Sequence, residues 1–364
     1  MNLQKQLSKT AVAIALGTMS VTLSANDQQT QKVETLEQRI NYLEKVVQDQ
    51  NNTLKEHGKS AAPTIAFSGA IEVEAGYSKP ENGDSETDLT IATVELVAEA
   101  QMTEQLSAEM VFLYEDDSDV EVDVAQFTYA LKNLPLSFTL GQTYVPFGSF
   151  ETGLISDPLN LEIGETREIS AVVAYENHGL NAAFYIFNGD NDENGESKIN
   201  NWGTAAGYSN DTFSLGVSYI NALGESDGIQ EALSTSSVGE YTDGLSVNGL
   251  LNLGPVTLIA EHTTALDSFG AALDNAEPSA TNVEVDFNTA FFGKSAIFAA
   301  AYQTTDDALV LELPESRVLV GLGVDINDHF SVGVEYARDS DYDVNDGGTG
   351  EDSNAFTVQF AASL

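Results

Sequence analysis

Residues 65–77 read Ile-Ala-Phe-Ser-Gly-Ala-Ile-Glu-Val-Glu-Ala-Gly-Tyr. Ile65, Phe67, Gly69, Ile71, Val73, Ala75 and Tyr77 alternate with Ala66, Ser68, Ala70, Glu72, Glu74 and Gly76. A period of two marks a β-strand, and apolar residues set against small or charged ones mark a sheet whose two faces meet different solvents. The same alternation continues near 88–101, 106–115, 121–131, 136–147, 169–177, 180–189, 201–209, 213–221, 244–253, 255–264, 281–290, 295–304, 315–325, 329–338 and 354–364. With the first segment these make about sixteen strands of roughly ten residues, enough to cross a bilayer when tilted.

The connections between these segments alternate in length along the chain. Short ones include Thr103-Glu104-Gln105, Asn133-Leu134-Pro135, Asn177-His178-Gly179, Asn210-Asp211, Gly254-Pro255, Gly293-Lys294 and Asn327-Asp328. Long ones cover 78–87, 148–168, 189–200, 222–243, 265–280, 304–314 and 339–353. A soluble sandwich has no reason to segregate loop lengths in this way. An outer-membrane barrel does, with tight periplasmic turns at one rim and long extracellular loops at the other. Tyr77, Tyr114, Phe127, Tyr129, Phe147, Tyr175, Tyr208, Phe213, Tyr219, Tyr302, Phe330 and Tyr336 fall near strand ends, where interfacial aromatic girdles are expected. The last residues, Phe356, Val358, Phe360, Ala362 and Leu364, keep the alternation to the end. The fold class expected for 61–364 is therefore all-β, a transmembrane antiparallel β-barrel of about sixteen strands.

Upstream of the strands the pattern changes twice. Lys5 and Lys9 precede the uncharged stretch Ala11 to Leu23, and Ser24-Ala25 offers a small-residue cleavage site before Asn26. Residues 1–25 thus read as a secretory signal peptide, too short in its apolar part to span a membrane. In residues 26–60, Val33, Leu36, Ile40, Leu43, Val47 and Leu54 occupy heptad a and d positions among Gln, Glu, Lys and Asn. This segment reads as a short periplasmic coiled-coil helix through which copies of the chain could self-associate, or as one amphipathic helix lying on its own domain.

Composition narrows the function. The 364 residues hold 57 Asp plus Glu, 14 Lys plus Arg and no Cys, for a formal net charge of −43. Nucleic-acid binding needs a basic footprint, so it is excluded, and thiolate chemistry is absent. Beyond position 60 the basic residues are Lys79, Lys132, Arg167, Lys198, Lys294, Arg317 and Arg338. The barrel alone carries a net charge of about −44, with Glu72, Glu74, Glu95 and Glu109 on expected lumen-facing positions. Such a surface attracts cations and opposes small anions.

Segment 148–168 is the third extracellular loop if the N-terminus is periplasmic. It reads GSFETGLISDPLNLEIGETRE, and Leu154, Ile155, Leu159, Leu161 and Ile163 interrupt its polar residues. An exposed loop seldom carries so many aliphatics, which suggests packing inside the barrel. Asp157, Glu162, Glu165, Arg167 and Glu168 are then the candidate pore-constriction residues. Arg167 among Glu165, Glu168 and Glu162 is open to two readings, a structural ion pair or a contact for solute.

The stretch Gly141-Gln142-Thr143-Tyr144-Val145-Pro146-Phe147-Gly148, followed by Phe150-Glu151-Thr152 and Asp157-Pro158-Leu159, resembles the LbtU-type siderophore porins. The leader, the heptad helix and the barrel length are similar to that family as well. Phosphate-selective porins carry a similar G-x-x-x-x-P-F-G segment, but the acidic charge counts against an oxyanion solute. The resemblance implies uptake of a ferric siderophore through an outer-membrane barrel without a plug domain. It implies no ligand residues that can be carried over.

Other site signals are weaker. Asp190-Asn191-Asp192-Glu193-Asn194-Gly195 matches half of an EF-hand loop, but position twelve is Asn201 and the flanks are strands, so a solvated acidic turn is the simpler account. The acidic clusters at 115–123 and 339–343 could hold cations near lipopolysaccharide, or simply be solvated loop tips. His57, His178, His262 and His329 are scattered, and no Ser-His-Asp spacing or zinc motif appears. No enzyme and no cofactor are implied. Three readings stand: a siderophore porin of a Gram-negative outer membrane, a general cation-preferring diffusion porin, and a structural outer-membrane protein with a periplasmic partner. Mass analysis of the exported chain should find Asn26 at its N-terminus, and a mature protein that retains Met1 would contradict the leader reading.

Overall fold

The structure, a computed structural model, describes residues 63–115, 118–193, 198–233, 237–238 and 240–364. The expected leader and coiled-coil helix lie outside the described residues. Sixteen strands form one closed antiparallel barrel. They are β1 (Thr64–Pro80), β2 (Glu86–Gln101), β3 (Leu106–Glu115), β4 (Glu121–Ala130), β5 (Leu136–Tyr144), β6 (Arg167–Asn177), β7 (Leu180–Asn188) and β8 (Asn201–Ser209) in the first half. The second half holds β9 (Phe213–Ile220), β10 (Gly244–Leu253), β11 (Val256–Ala265), β12 (Ser279–Phe291), β13 (Lys294–Asp306), β14 (Ser316–Asn327), β15 (Phe330–Ser340) and β16 (Asp352–Ser363). Each strand pairs with its sequence neighbours, and β16 returns to β1 with Phe356 opposite Tyr77. Closure leaves no edge strand with unpaired backbone groups, which a lipid-embedded sheet requires.

The alternation sorts side chains in the reverse of a soluble protein. On β12, Val283, Val285 and Phe287 are 54%, 41% and 44% exposed on the outer face, while Asn282 and Glu284 are buried within. On β15, Tyr336 faces out and Glu335 is buried. An outer apolar band over a polar interior is the arrangement of a barrel whose outside meets lipid. Tight turns gather at one rim. At His178-Gly179 both φ values are positive, 52° and 82°, as a two-residue type I′ turn demands.

Three expectations are corrected. The first long connection, read as 78–87, spans only 81–85, because β1 and β2 stay paired as far as Ser78 and Glu86. Strand β5 ends at Tyr144 rather than at 147. The N–H of Val145 turns to the carbonyl of Thr166, 2.9 Å away, and Pro146 has no N–H to continue the ladder. Phe147, placed with the outer aromatics, is instead buried beneath the loops.

Those loops make a second core. Segments 145–166, 221–233, 240–243, 266–278 and 307–315 pack together at the long-loop rim and carry two short helices, α1 (Leu159–Gly164) and α2 (Asp227–Ala232). Val145, Phe147, Leu159 and Ile163 meet Tyr185 and Phe187 of β7 and Ile220, Leu223, Ile229 and Leu273 in one buried apolar cluster. Helix α1 also rests on β11, β12 and β13. Each large side chain in such a cluster contributes about 2 kcal/mol relative to exposure. The cap and the loop within the barrel therefore stand or fall together. Ile163 is fully buried. Ile163→Asp should cost about 3 kcal/mol or more in the cap. Limited proteolysis should then cut between 145 and 166 while the barrel keeps its heat-modifiable gel mobility, and an uncut loop would contradict this.

Candidate pore constriction

The long loop enters the barrel at the Pro146-Phe147-Gly148 turn. Gly148 has φ +76°, and a Cβ there would strike the ring of Phe150, so glycine is required. Its N–H donates to Ser218 Oγ on β9 at 2.9 Å. The chain then crosses the lumen wall, handed from one buried glutamate to the next. Ser149 and Phe150 N–H donate to the Glu261 carboxylate of β11 at 2.9 and 2.7 Å. Gly153 N–H and Thr152 Oγ1 donate to Glu284 of β12 at 2.6 and 2.8 Å. Ile155 N–H and Ser156 Oγ donate to Glu335 of β15 at 2.7 and 2.5 Å. The return leg through α1 is held by Leu159 N–H on Gln303 Oε1 at 3.2 Å and by the Asn160 amide on Thr263 Oγ1 and the Ala280 carbonyl.

A loop inside a barrel must find acceptors for backbone N–H groups that have left water. Carboxylates supply them with charge-assisted bonds, about twice as strong as neutral ones. Small residues on the wall make the remaining room. A Cβ at Gly321 would meet Leu154, and one at Gly333 would meet Ile155.

Because the loop lies along β9 to β15, the remaining passage is bounded by β16 and β1 to β6. Its wall is acidic. The Gln359 amide of β16 bridges Glu72 and Glu74 at 3.3 and 3.0 Å, and Gln126 donates to Glu109 at 2.7 Å. From the loop, Asp157 projects toward this wall. Crowding by protein raises its carboxyl above the usual range, and Glu335 and Glu74 add like charge. Burial likewise pushes Glu165 up to about 7, with Asp227, Asp157, Asp123 and Glu115 as negative neighbours. Glu225, buried in the cap, also lies near 7 because of desolvation, even though it accepts the N–H groups of Asp190 and Asn191.

The five residues singled out from sequence take different places. Asp157, Glu162 and Glu165 share one field at the loop and cap. Glu168 sits beside Glu225 and Asp190 of the outer loops. Arg167 opens β6, and its partners are not Glu165, Glu168 or Glu162. It pairs with Glu121 and Asp123 of β4 at 2.6 and 3.0 Å. Tyr144 Oη donates to the same Asp123 at 2.8 Å. Arg317 is likewise committed, with a bidentate pair to Asp339 at 2.8 and 3.0 Å. Of the half EF-hand segment, Asp190 and Asn191 serve the Glu225 contact, and 194–197 fall outside the described residues.

Glu261, Glu284 and Glu335 were missed as site residues. Period-two parity marks them as inward-facing, as it does Glu72 and Glu74. Nothing in the sequence marks their partners, because a backbone N–H is the same at every residue.

No family model matches the sequence. A UPF0422 protein of Coxiella burnetii (strain RSA 493 / Nine Mile phase I) is 28% identical over 310 residues, covering 79% of this chain and 67% of that protein. A UPF0422 protein of Legionella pneumophila (strain Paris) is 26% identical over 317 residues, 77% of this chain and 60% of its own length. The chain thus spans about three fifths of its Legionella relatives. Among solved structures, an anion-selective porin from Comamonas acidovorans superposes with a TM-score of 0.62 at 14% identity, over 83% of this chain and 100% of that one. The outer membrane channel DcaP of Acinetobacter baumannii gives 0.60 at 12% identity, over 84% and 99%. Salmonella typhi OmpF in complex with daunomycin gives 0.56 at 15% identity, over 82% and 97%. The fold is that of outer-membrane porins.

Protons should reach this passage in the physiological range. Glu165 has a raised pKa, so it is ionised above about pH 7 and neutral below it. Lowering the pH from 8 to 5 should reduce cation selectivity, read as a smaller reversal potential in a KCl gradient. A reversal potential flat across that range would contradict the assignment.

Proposed function

We propose that this chain is an outer-membrane channel that admits a ferric siderophore, with a cation-preferring passage between the pinned loop and the β1 to β6 wall. The observation that carries the channel reading is the loop itself. It is tethered to Glu261, Glu284 and Glu335 and leaves Asp157 opposite Glu72 and Glu74. A plain structural barrel has no need of a loop held so completely inside it.

The siderophore reading is supported by the resemblance at 141–159. Those residues are the end of β5 and the inward course of the loop, so the likeness falls on the constriction rather than on the outer wall. Electrostatics adds a condition on the solute. A lumen with this excess of carboxylates resists an anionic chelate. The ferric complex that passes is expected to be neutral or positively charged. The anion selectivity of the Comamonas porin therefore does not carry over with the fold. The acidic wall favours a second reading, a general cation-preferring porin. The N-terminal heptads are proposed to lie in the periplasm and to join copies of the chain, with outer-membrane lipid and lipopolysaccharide around the barrel. The reading is non-enzymatic.

Two measurements separate the readings. In planar bilayers the channel should conduct with cations favoured, and a neutral or cationic ferric siderophore should reduce the current. A deletion strain should lose growth on that chelate under iron limitation. Cation-selective conductance that is indifferent to the chelate, with unimpaired iron uptake, would leave the general porin, and absence of conductance would remove both.

A further inference from the structure

One connection at the tight-turn rim breaks its polar character. Asn210-Asp211 and Asn327-Asp328 make two of these turns, whereas β12 and β13 are joined through Phe291-Phe292-Gly293-Lys294. Phe292 and Gly293 both have positive φ, 50° and 77°, as at His178-Gly179. Such a turn favours Asn, Asp or Gly at its first position. An aromatic residue held there is an outlier that asks for a functional reason. Packing does not provide one. Phe292 is 92% exposed, and among the described residues no large apolar side chain is more so. Its ring meets Phe291 edge-on, with centroids 4.5 Å apart.

The register shows how far this tip stands out. β12 last pairs with β11 where Phe287 lies opposite Val256, and β13 first pairs with β14 where Ala296 lies opposite Val324. Residues 289–295 therefore pair only within their own hairpin, and all are exposed. Phe287 stands opposite Phe298, and both face out, an aromatic pair at the lower edge of the apolar band. From Phe287 to Phe291 the strand advances about 14 Å, or roughly 10 Å along the membrane normal at the usual tilt. A headgroup layer is about 5–8 Å deep, so the hairpin is long enough to carry its tip through it. Thr289, the outward residue between the two phenylalanines, is polar, as a side chain leaving hydrocarbon should be.

The pair that closes the turn sets Lys294 opposite Phe291. Opposite residues share a face, and Val283, Val285, Phe287 and Phe291 put that face outside, toward lipid. The two lysines of this rim differ. Lys132 pairs with Glu104 at 3.2 Å, while Lys294 forms no ion pair among the described residues. In a chain of net charge −43, an unpaired cation on the outer face beside two aromatic rings matches an anionic headgroup. Aromatic rings favour the membrane interface, and a lysine stem reaches from the apolar edge to the phosphates.

We propose that the β12–β13 tip is a lipid anchor, with Phe291 and Phe292 in the periplasmic interface and Lys294 on the phosphate of an anionic phospholipid. The anchor rests on the barrel's place in a membrane and is independent of what the channel carries. It fixes the height of the wall on which the long loop is pinned, since β12 also carries Glu284.

The test reconstitutes the full-length chain in phosphatidylethanolamine vesicles with a minor fraction of phosphatidylglycerol. Trp202 is the chain's single tryptophan, so Trp202→Phe with Phe292→Trp puts one reporter at the tip. Phe291→Trp in the same background is a second reporter, and heat-modifiable mobility checks that each barrel is folded. Indole emission should be blue-shifted, and lipid brominated high on its acyl chains should quench it. Bromine on the phosphatidylglycerol should quench about fivefold more than equally dilute brominated phosphatidylethanolamine, the preference one lysine gives at an anionic surface. Lys294→Gln should abolish that preference. Water-like emission without quenching from both reporters would overturn the anchor and leave the tip to a periplasmic protein. Equal quenching by the two lipids, or a preference that survives Lys294→Gln, would overturn the phosphate contact. Conductance is not read, so either failure leaves the channel reading standing.

Discussion

The arrangement depends on a set of hydrogen bonds that run from backbone N–H groups of one loop to three buried glutamates. A carboxylate taken out of water is costly, and so is an N–H without an acceptor. Here each solves the problem of the other. Glu261, Glu284 and Glu335 stand on three strands of one wall, and the loop passes them in order. No salt bridge to a basic side chain is formed by these three among the described residues. The loop's donors therefore supply the compensation that cations supply elsewhere, and the loop is as firmly placed as the sheet that carries the glutamates.

Placing the loop on the β9 to β15 wall decides everything downstream. It fills that half of the lumen, joins the apolar cap above it through Leu159 and Ile163, and confines solute to the β16 and β1 to β6 side. That side holds carboxylates, while Arg167 and Arg317, two of the scarce cations, are bound into pairs. The field in the passage is then set by Asp157, Glu72, Glu74 and Glu165. One chain thus separates two uses of the same residue type, glutamates that hold the loop and glutamates that meet the solute.

The barrel was legible because a period of two with unlike faces is written into every strand, and the rims because turn and loop lengths alternate. The loop's aliphatics gave away that it packs inward. What it packs against was not legible. Arg167 lies 46 and 44 residues from Glu121 and Asp123, and strand register, not sequence distance, brings them together. Nearby Glu165 and Glu168 looked like better partners on a linear reading. The cap core unites Phe147, Ile220, Ile229 and Leu273 from four separate segments, and none of these segments has a period that would announce it.

The account turns on where the loop rests, and the chain's lack of cysteine makes that measurable. Ile155 lies against Gly333 of β15, where a Cβ would come 3.2 Å from Ile155 Cγ1, so Ile155→Cys with Gly333→Cys places two thiols within disulfide reach. Single-channel conductance of this double variant should be the same oxidised and reduced, with the cross-link forming readily, because the bond fixes a position already held. Failure to cross-link in a folded barrel, or a conductance that changes when the bond is reduced, would contradict a loop pinned to that wall.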